Sequence, residues 1–329
     1  MSVTFQQLTY VAEISKCGSI NKAAQRLHLS QSGISAAVRE LEEELGIQFF
    51  RRSNRGVEFT PEGKEFLGYA LSLLEQKRRI EGLYGPGRDR SAPARFSVST
   101  QRYPFTEEAF LRLLQRAEDH RFRFSLRETG MDAVIDDVYD HRADVGVIFL
   151  TDLTEKIIRR LLDARELAFH ETAAVTPCVY VRREHPLAER AAVTEADLEG
   201  YPYVSFQQAQ GVAADFSEEY PSMRRPDRWI HVNNRATMMS VLARTDAFTT
   251  GSGLLVESFI SQAVVTVPLA DKSPVRIGWI APRGGRLAPR AAQFVALLEA
   301  AVADAVDFTE RMHRSLAGQG GEQEETECR

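Results

Sequence analysis

The sequence predicts an α/β protein that begins with a small helical unit. Apolar residues recur at helical spacing through the first 45 residues, and a Gly-, Pro- and charge-rich stretch at 85–94 then separates this part from the rest. Beyond 94, strand-like and helix-like segments alternate, and the run VGVIF at 145–149 is apolar throughout. A strand without a polar face is typical of a parallel sheet covered by helices on both sides.

Composition and charge limit the classes of protein that the chain can belong to. The 329 residues are 43% hydrophobic and carry a formal net charge of −5, which by itself argues against nucleic acid as a partner. Residues 1–80, however, hold 11 Lys/Arg and 9 Asp/Glu, whereas the remainder holds 30 and 37, so the first part alone is mildly basic. We expect no signal peptide and no membrane contact.

Three widely separated cysteines predict reduced thiols and a cytoplasmic location. We interpret Cys17, beside the break at Gly18, as structural. Cys178 lies in an apolar strand and is expected to be a buried small side chain. The sequence leaves a redox role for either of them open.

The N-terminal unit contains three helices, a hairpin and a longer helix in our prediction. The first helix covers 3–15, Ser19 caps the second, and the third begins after Ser30 and ends at Gly46. The stretch FFRRSNRGVEFT then indicates two short strands around a tight turn. Pro61 can begin the long helix that follows.

The third helix has two contrasting faces on a helical wheel. Its apolar side is formed by Ile34, Ala37, Val38, Leu41 and Leu45. Its opposite side is short and polar and includes Gln31, Ser32, Ser35 and Arg39. Such an edge, capped by Ser30, can enter a DNA major groove, while Arg52 and Arg55 of the hairpin reach the backbone. Taken alone, the helix fits equally well an ordinary capped amphipathic helix with a solvated face.

The whole segment AAQRLHLSQSGISAAVRELEEELGIQFFRRSNRGVEFTPEG resembles the winged helix–turn–helix signature of LysR-type transcriptional regulators. The shared positions are Ala23, Ala24, Leu27, Ser30, Gln31, Ser32, Ser35, Leu41, Glu42, Leu45, Gly46, Phe50, Arg52, Arg55, Thr60 and Gly63. One departure is Gly33, where the family usually has alanine or another small residue. Further segments of weaker resemblance are RADVGVI at 142–148, HPLA at 185–188 and DLEG at 197–200.

The resemblance implies a domain organisation for the whole chain. The expected parts are a winged helix–turn–helix at 1–60, a dimerisation linker helix at 61–84, a flexible linker at 85–94, an effector-binding region at 95–310 and a polar, disordered tail at 311–329. The effector-binding region is expected to consist of two Rossmann-like α/β subdomains similar to type 2 periplasmic binding proteins. The first would comprise 95–170 and 268–308, and the second 171–267.

The resemblance also implies site residues and partners. Strand ends and a hydroxyl-rich turn supply the expected effector contacts: Ser99, Thr100, Gln101, Ser205, Phe206, Thr249 and Thr250. The alternative is that these groups only cap helices and form turns. A near-heptad seam supplies the expected dimer contacts: Phe66, Ala70, Leu73, Leu74 and Ile80. The implied partners are double-stranded DNA with a dyad-symmetric site, a small-molecule effector, a second copy (with tetramers beyond) and RNA polymerase.

Other classes of protein remain as alternatives with weaker support. The sequence shows no metal-binding His or Cys spacing, nucleophile elbow, phosphate loop or dinucleotide fingerprint, so we expect no enzyme activity, cofactor or metal. An α/β enzyme with an added N-terminal helical domain would need one of these catalytic or cofactor-binding motifs. A solute-binding protein would need export, and a structural nucleoid binder would need stronger positive charge.

Overall fold

A computed structural model describes residues 3–53, 56–84, 93–118, 121–207, 227–257, 263–270 and 272–327. The chain divides into two compact units, residues 1–92 and 93–329. No described helix is long and apolar enough to cross a membrane.

The first unit has the predicted helices and hairpin. In its described part these are α1 (Phe5–Cys17), α2 (Ile20–Leu27), α3 (Gln31–Leu45), β1 (Phe50–Ser53), β2 (Gly56–Phe59) and α4 (Pro61–Tyr84). The capping residues behave as expected. The Ser19 side chain accepts from the Lys22 amide, and Gly46 ends α3 with a left-handed φ of 68°. Glycine reaches this conformation without a Cβ clash.

Two buried contacts connect α3 and α4 to the hairpin. The Glu42 carboxylate accepts the Phe49 amide at 2.6 Å, so α3 holds the start of β1. At the same open end of the hairpin, the Thr60 hydroxyl donates to the Gln48 carbonyl at 2.5 Å and accepts the Gly63 amide at 2.9 Å. A Cβ on Gly63 would lie 2.2 Å from the Phe49 carbonyl oxygen, so only glycine fits there.

The second unit contains the alternating elements. In its described part these are β3 (Ala94–Thr100), α5 (Pro104–Gln115), β4 (Phe122–Glu128), α6 (Met131–Tyr139), β5 (Val145–Leu150), α7 (Glu155–Ala164), β6 (Leu167–Val175), β7 (Cys178–Arg182), a 3₁₀ helix (Ala196–Leu198), β8 (Tyr203–Phe206), β9 (Trp229–Val232), α8 (Arg235–Arg244), β10 (Thr249–Gly251), β11 (Val264–Pro268), β12 (Val275–Pro282) and α9 (Pro289–Glu327).

The first subdomain is built on a five-stranded sheet in the order β4-β3-β5-β12-β6. Strands β3, β4 and β5 are parallel, whereas β12 is antiparallel to both β5 and β6. Every residue of β5 is buried, as its apolar run predicts. One large apolar cluster covers one face of the sheet, with Phe294 of α9 at its centre, and a second covers the other face around Ile135 of α6.

The second subdomain contains a three-stranded sheet in the order β10-β7-β11 and the parallel pair β8-β9. A bridge from Tyr203 to Phe248 connects the two. The predicted boundary at 170/171 is wrong, because β6 continues to Val175 and pairs with β12 of the first subdomain. The chain therefore crosses at 176–177. It returns after β11, which ends at Pro268 and still pairs with β7.

The described residues correct one end of the predicted linker and the predicted tail. Residues 85–92 of the expected linker lie outside the described residues, and Ala94 already belongs to β3. The tail expected to be disordered from 311 is helical through Glu327. Its first turn is anchored, because His313 hydrogen-bonds the Thr266 hydroxyl at 3.0 Å and Met312 packs on the second subdomain.

Candidate functional sites

The polar edge of α3 is open to solvent, while its apolar side is buried. Ile34, Val38 and Leu41 are at most 3% exposed and anchor the helix on α1 and α2. On the other side Gln31, Ser32 and Arg39 are exposed and Ser35 is partly exposed. The helical-wheel prediction is thus confirmed.

Hydrogen bonds order the start of this edge. The Ser30 hydroxyl accepts the Gly33 amide at 3.1 Å and the Ser32 hydroxyl at 3.3 Å, so Ser30 is the helix cap that the sequence predicts. Gln31 Nε2 donates to Ser35 Oγ at 3.4 Å. These contacts hold short polar groups in place along one exposed surface.

The described part of the hairpin carries one exposed arginine. Arg51 is exposed on β1 and pairs in register with Glu58 of β2. The rings of Phe50 and Phe59 pack edge to face at 4.6 Å and hold the two strands together. The side chain of Arg52 and all of Arg55 lie outside the described residues.

The predicted dimer seam on α4 is wrong for three of its five residues. Ala70 and Leu74 are buried against Leu8 and Ala12 of α1, and Phe66 stacks on the Phe49 ring at 4.3 Å. These three heptad residues therefore lie on the side of α4 that packs inside its own unit.

The two remaining seam residues, Leu73 and Ile80, are exposed, and so is Tyr69. Steps of four and seven residues place these three side chains on one stripe of α4. Leu71 is exposed on the opposite flank. The described residues thus leave an apolar stripe on α4 open to solvent.

A cavity of about 800 Å³ lies between the two subdomains of the second unit. Its lining comes from the start of α5, the end of β4, the start of α8 and the segment from β10 to Val256. These are carboxyl ends of strands and amino ends of helices, the position at which α/β folds bind ligands.

Three of the seven predicted effector contacts line this cavity: Phe206, Thr249 and Thr250. The two threonines lie on a short strand, β10, rather than on a turn. The Thr250 hydroxyl is 3.2 Å from the Tyr203 hydroxyl. The Thr249 hydroxyl oxygen is buried and has no hydrogen-bond partner among the described residues.

The other four predicted contacts do not line the cavity. The Ser99 hydroxyl donates to the buried Asp137 carboxylate at 2.8 Å, and the Thr100 hydroxyl donates to the Gln101 carbonyl at 2.8 Å. Gln101 is fully buried, and its side-chain oxygen accepts the Tyr103 hydroxyl at 2.7 Å. These three consecutive residues are buried, and their side chains hydrogen-bond within the first subdomain.

Ser205 is also engaged away from the cavity. Its hydroxyl accepts Trp229 Nε1 at 2.5 Å and lies 3.1 Å from His231 Nδ1. Both partners come from β9, the parallel neighbour of β8. Ser205 therefore connects two strands of the second subdomain.

Four charged residues outside the set of predicted effector contacts line the cavity: Arg102, Glu107, Glu128 and Arg235. Arg235, at the start of α8, forms ion pairs with Glu107 and, at 3.5 Å, with Glu128 of the first subdomain. Arg102 of the first subdomain places its guanidinium 4.3 Å from the centroid of the Phe206 ring in the second. Both contacts cross the cleft.

Burial raises the pKa of Glu128 above its ordinary value and outweighs the opposing effect of the two arginines. Glu128 at the end of β4 and Arg235 just beyond β9 satisfy the same strand-end rule that selected Ser99. What it could not show was that their charges meet across the cleft.

The Cys178 thiol of the second unit is buried. Burial raises the pKa of the Cys178 thiol to about 12, so that the thiol stays protonated. Within the described ranges, no cluster of three His, Cys, Asp or Glu side chains could hold a metal ion.

Comparison with known proteins identifies the family. Residues 5–64 match the model of the bacterial regulatory helix-turn-helix protein, lysR family, and residues 106–303 match the LysR substrate binding domain. The second match alone covers more than half of the chain. The chain belongs to the LysR family. The resemblance of the N-terminal signature, and the fold it implied, are therefore confirmed.

Individual relatives extend over different parts of this LysR-type chain. The RuBisCO operon transcriptional regulator of Allochromatium vinosum is 25% identical over 89% of the chain and 95% of its own length. The regulator YofA of Bacillus subtilis is 32% identical, but the match covers 41% of the chain and about half of that relative, 47%. Full-length CbnR, solved with its target DNA, shares the fold with a TM-score of 0.55 at 18% identity, over 91% of this chain and all of CbnR.

Proposed function

We propose that this LysR-type protein is a cytoplasmic transcriptional regulator that binds a dyad-symmetric DNA site and responds to a small molecule held in the cleft of its second unit. The observation that carries the proposal is the exposed polar edge of α3, held on a buried apolar side. In helix–turn–helix proteins the second helix of the motif enters the major groove in this manner.

The side chains of this edge divide by their chemistry. Gln31 can form paired hydrogen bonds with an adenine edge, and Ser32 and Ser35 can bond to bases or phosphates. Arg39, one turn further on, is suited to a phosphate, and so are Arg52 and Arg55 of the hairpin. Ser30 contributes indirectly, because its hydroxyl is occupied in capping the helix.

Gln31→Ala tests the base-reading role. We expect the variant to relax sequence preference at one base pair of each half-site by about 1–3 kcal/mol, because a bidentate contact discriminates by that amount. Selection from a random DNA library with the full-length protein measures the preference. Arg39→Ala is the matched control and should weaken all sequences alike and reduce the salt dependence of binding. If the Gln31→Ala variant selects the same DNA sequence motif as the unaltered protein, Gln31 does not contact a base.

We further propose that the exposed stripe on α4 joins two copies, since a dyad-symmetric site requires two heads. The double variant Leu73→Lys/Ile80→Lys should lower the mass in solution to that of one chain at micromolar concentration. Leu71→Lys, an equally exposed leucine on the other flank of α4, should leave the mass unchanged. Analytical ultracentrifugation measures both. Equal masses for the two variants would exclude this stripe as the dimer contact.

The cleft supports the effector role. Ligand binding between two subdomains shifts a conformational equilibrium only if the two arrangements bind the ligand with different affinity. The same family resemblance motivates the further proposals of a tetramer and of contact with RNA polymerase at the promoter. Ala236→Phe, at an exposed position on the cavity lining, should block ligand response while DNA binding persists.

A further inference from the structure

The wall of the cleft cavity is predominantly apolar. Its larger side chains are aliphatic, aromatic and thioether groups, among them Phe110, Leu126, Met238, Met239, Leu242 and Leu254. Burial of apolar ligand surface against such a wall is favourable, and methionines adapt to the shape of a ligand. A volume of about 800 Å³ is within the range of small-molecule pockets.

The charges of the lining are already engaged with one another. Two arginines and two glutamates line the cavity, so their formal charges cancel. Arg235 pairs with Glu107 and Glu128, and the positive charge of Arg102 acts on Glu128 as well. Arg102 also lies over the Phe206 ring. An ionised ligand would bring into the cavity a charge that this balanced lining does not compensate.

The lining offers a ligand the hydroxyl of Thr249, alongside the guanidinium of Arg235 that already pairs with Glu107 and Glu128. Thr249 is 5% exposed, and its hydroxyl lacks a hydrogen-bond partner in the described part of the chain. An unsatisfied buried hydroxyl is unfavourable, so a partner that arrives with a ligand is favoured. The second hydroxyl near it, that of Tyr180, stays uncharged because burial raises its pKa. Both groups are therefore uncharged hydrogen-bonding groups.

We infer that the cleft takes an uncharged, mostly apolar small molecule with a single hydroxyl, carbonyl or amide group, and that this group hydrogen-bonds to Thr249. The inference rests on the proposed effector role of the cleft and adds the chemical class of the ligand. Apolar surface supplies the affinity, and the hydroxyl of Thr249 sets the orientation.

Biphenyl-4-ol and biphenyl-4-carboxylate test the chemical class with the full-length protein. The two compounds share one apolar body and differ in charge at pH 7.5. Isothermal titration calorimetry should give a Kd at least tenfold lower for the phenol. Stronger binding of the carboxylate, or binding of neither compound, would overturn the inference.

Thr249→Val tests the hydroxyl. The substitution keeps the shape and removes an unpartnered group, so the fold should be unaffected. We expect the substitution to raise the Kd of the phenol about tenfold. The Kd of 4-methylbiphenyl, which has no polar group, should stay unchanged. Thr249→Ser should restore phenol binding. If the phenol and 4-methylbiphenyl lose affinity equally, the Thr249 hydroxyl does not orient the ligand.

Failure of the ligand class is distinguishable from failure of the proposed function. If an anion binds instead and Ala236→Phe blocks it, the cleft keeps its effector role and only the neutral class is wrong. If Ala236→Phe leaves the binding of every probe unchanged, ligands bind elsewhere and both proposals fall.

Discussion

Ser99→Ala separates a structural from a ligand-binding role at the end of β3. The hydroxyl of Ser99, 1% exposed, donates to Asp137 at 2.8 Å. A hydrogen bond to a charged group contributes about 1.5–3 kcal/mol. Asp137 keeps Arg127 and Arg142 at 2.8 Å, so the carboxylate remains paired in the variant. We therefore expect Ser99→Ala to lower the free energy of unfolding by an amount near the lower end of this range, about 1.5 kcal/mol.

Urea unfolding followed by tryptophan fluorescence measures this loss. The chain has two tryptophans, Trp229 and Trp279, and both lie in the second unit, so the signal reports on that unit alone. With a urea slope of about 3 kcal/mol/M for a unit of this size, the midpoint should fall by about 0.5 M.

Ser97→Ala is the matched control for this experiment. Ser97 lies on the same strand, two residues earlier, and no hydrogen bond of its hydroxyl occurs among the described residues. Its midpoint should change little. If Ser99→Ala matches this control in stability and yet alters ligand binding, Ser99 belongs to the cleft and the structural interpretation is refuted.

Two further predictions concern packing and pH. Gly63→Ala should destabilise the first unit by about 3 kcal/mol, because the new Cβ would lie 2.2 Å from the Phe49 carbonyl oxygen. Gly68→Ala is the control on the same helix; its Cβ would have nothing within 4 Å, so it should be neutral or stabilising. Calorimetry compares the stability of the two variants. Burial lowers the pKa of His185 below 6.5, so the neutral ring contributes stability that is complete above pH 6.5 and lost as the pH falls below it. Protonation would also set Nδ1–H against the Leu187 amide that it now accepts at 3.1 Å. His185→Asn should flatten this loss between pH 7.5 and 5.5, and an unchanged slope would exclude His185 as its source.

Local pattern was sufficient for most of the first unit. Ser19 and Ser30 cap their helices, Gly46 ends α3, and the two faces of α3 separate as a helical wheel predicts. These features depend on interactions between residues that are close together along the chain, so the sequence alone is enough to predict them. The same holds for β5, whose burial on both faces follows from its apolar run.

The partner of an apolar face could not be predicted from its own periodicity. The seam on α4 has the spacing of a coiled coil, and only the packed unit shows that Ala70 and Leu74 face α1. The strand-end rule likewise selected Ser99 without showing which way its side chain points. Its side chain lies in the interior because it hydrogen-bonds to Asp137, which is distant in sequence.

By itself, the sequence determined the fold class, the helix–turn–helix with its exposed polar edge, and the family to which the chain belongs. Only the tertiary structure decided which residues form the cleft. Arg235 lies more than one hundred residues from its partners Glu107 and Glu128, and no local pattern records such a contact. The charge and polarity of the cavity emerge only when the two subdomains bring these side chains together, because electrostatic and packing interactions depend on distance in space rather than along the chain.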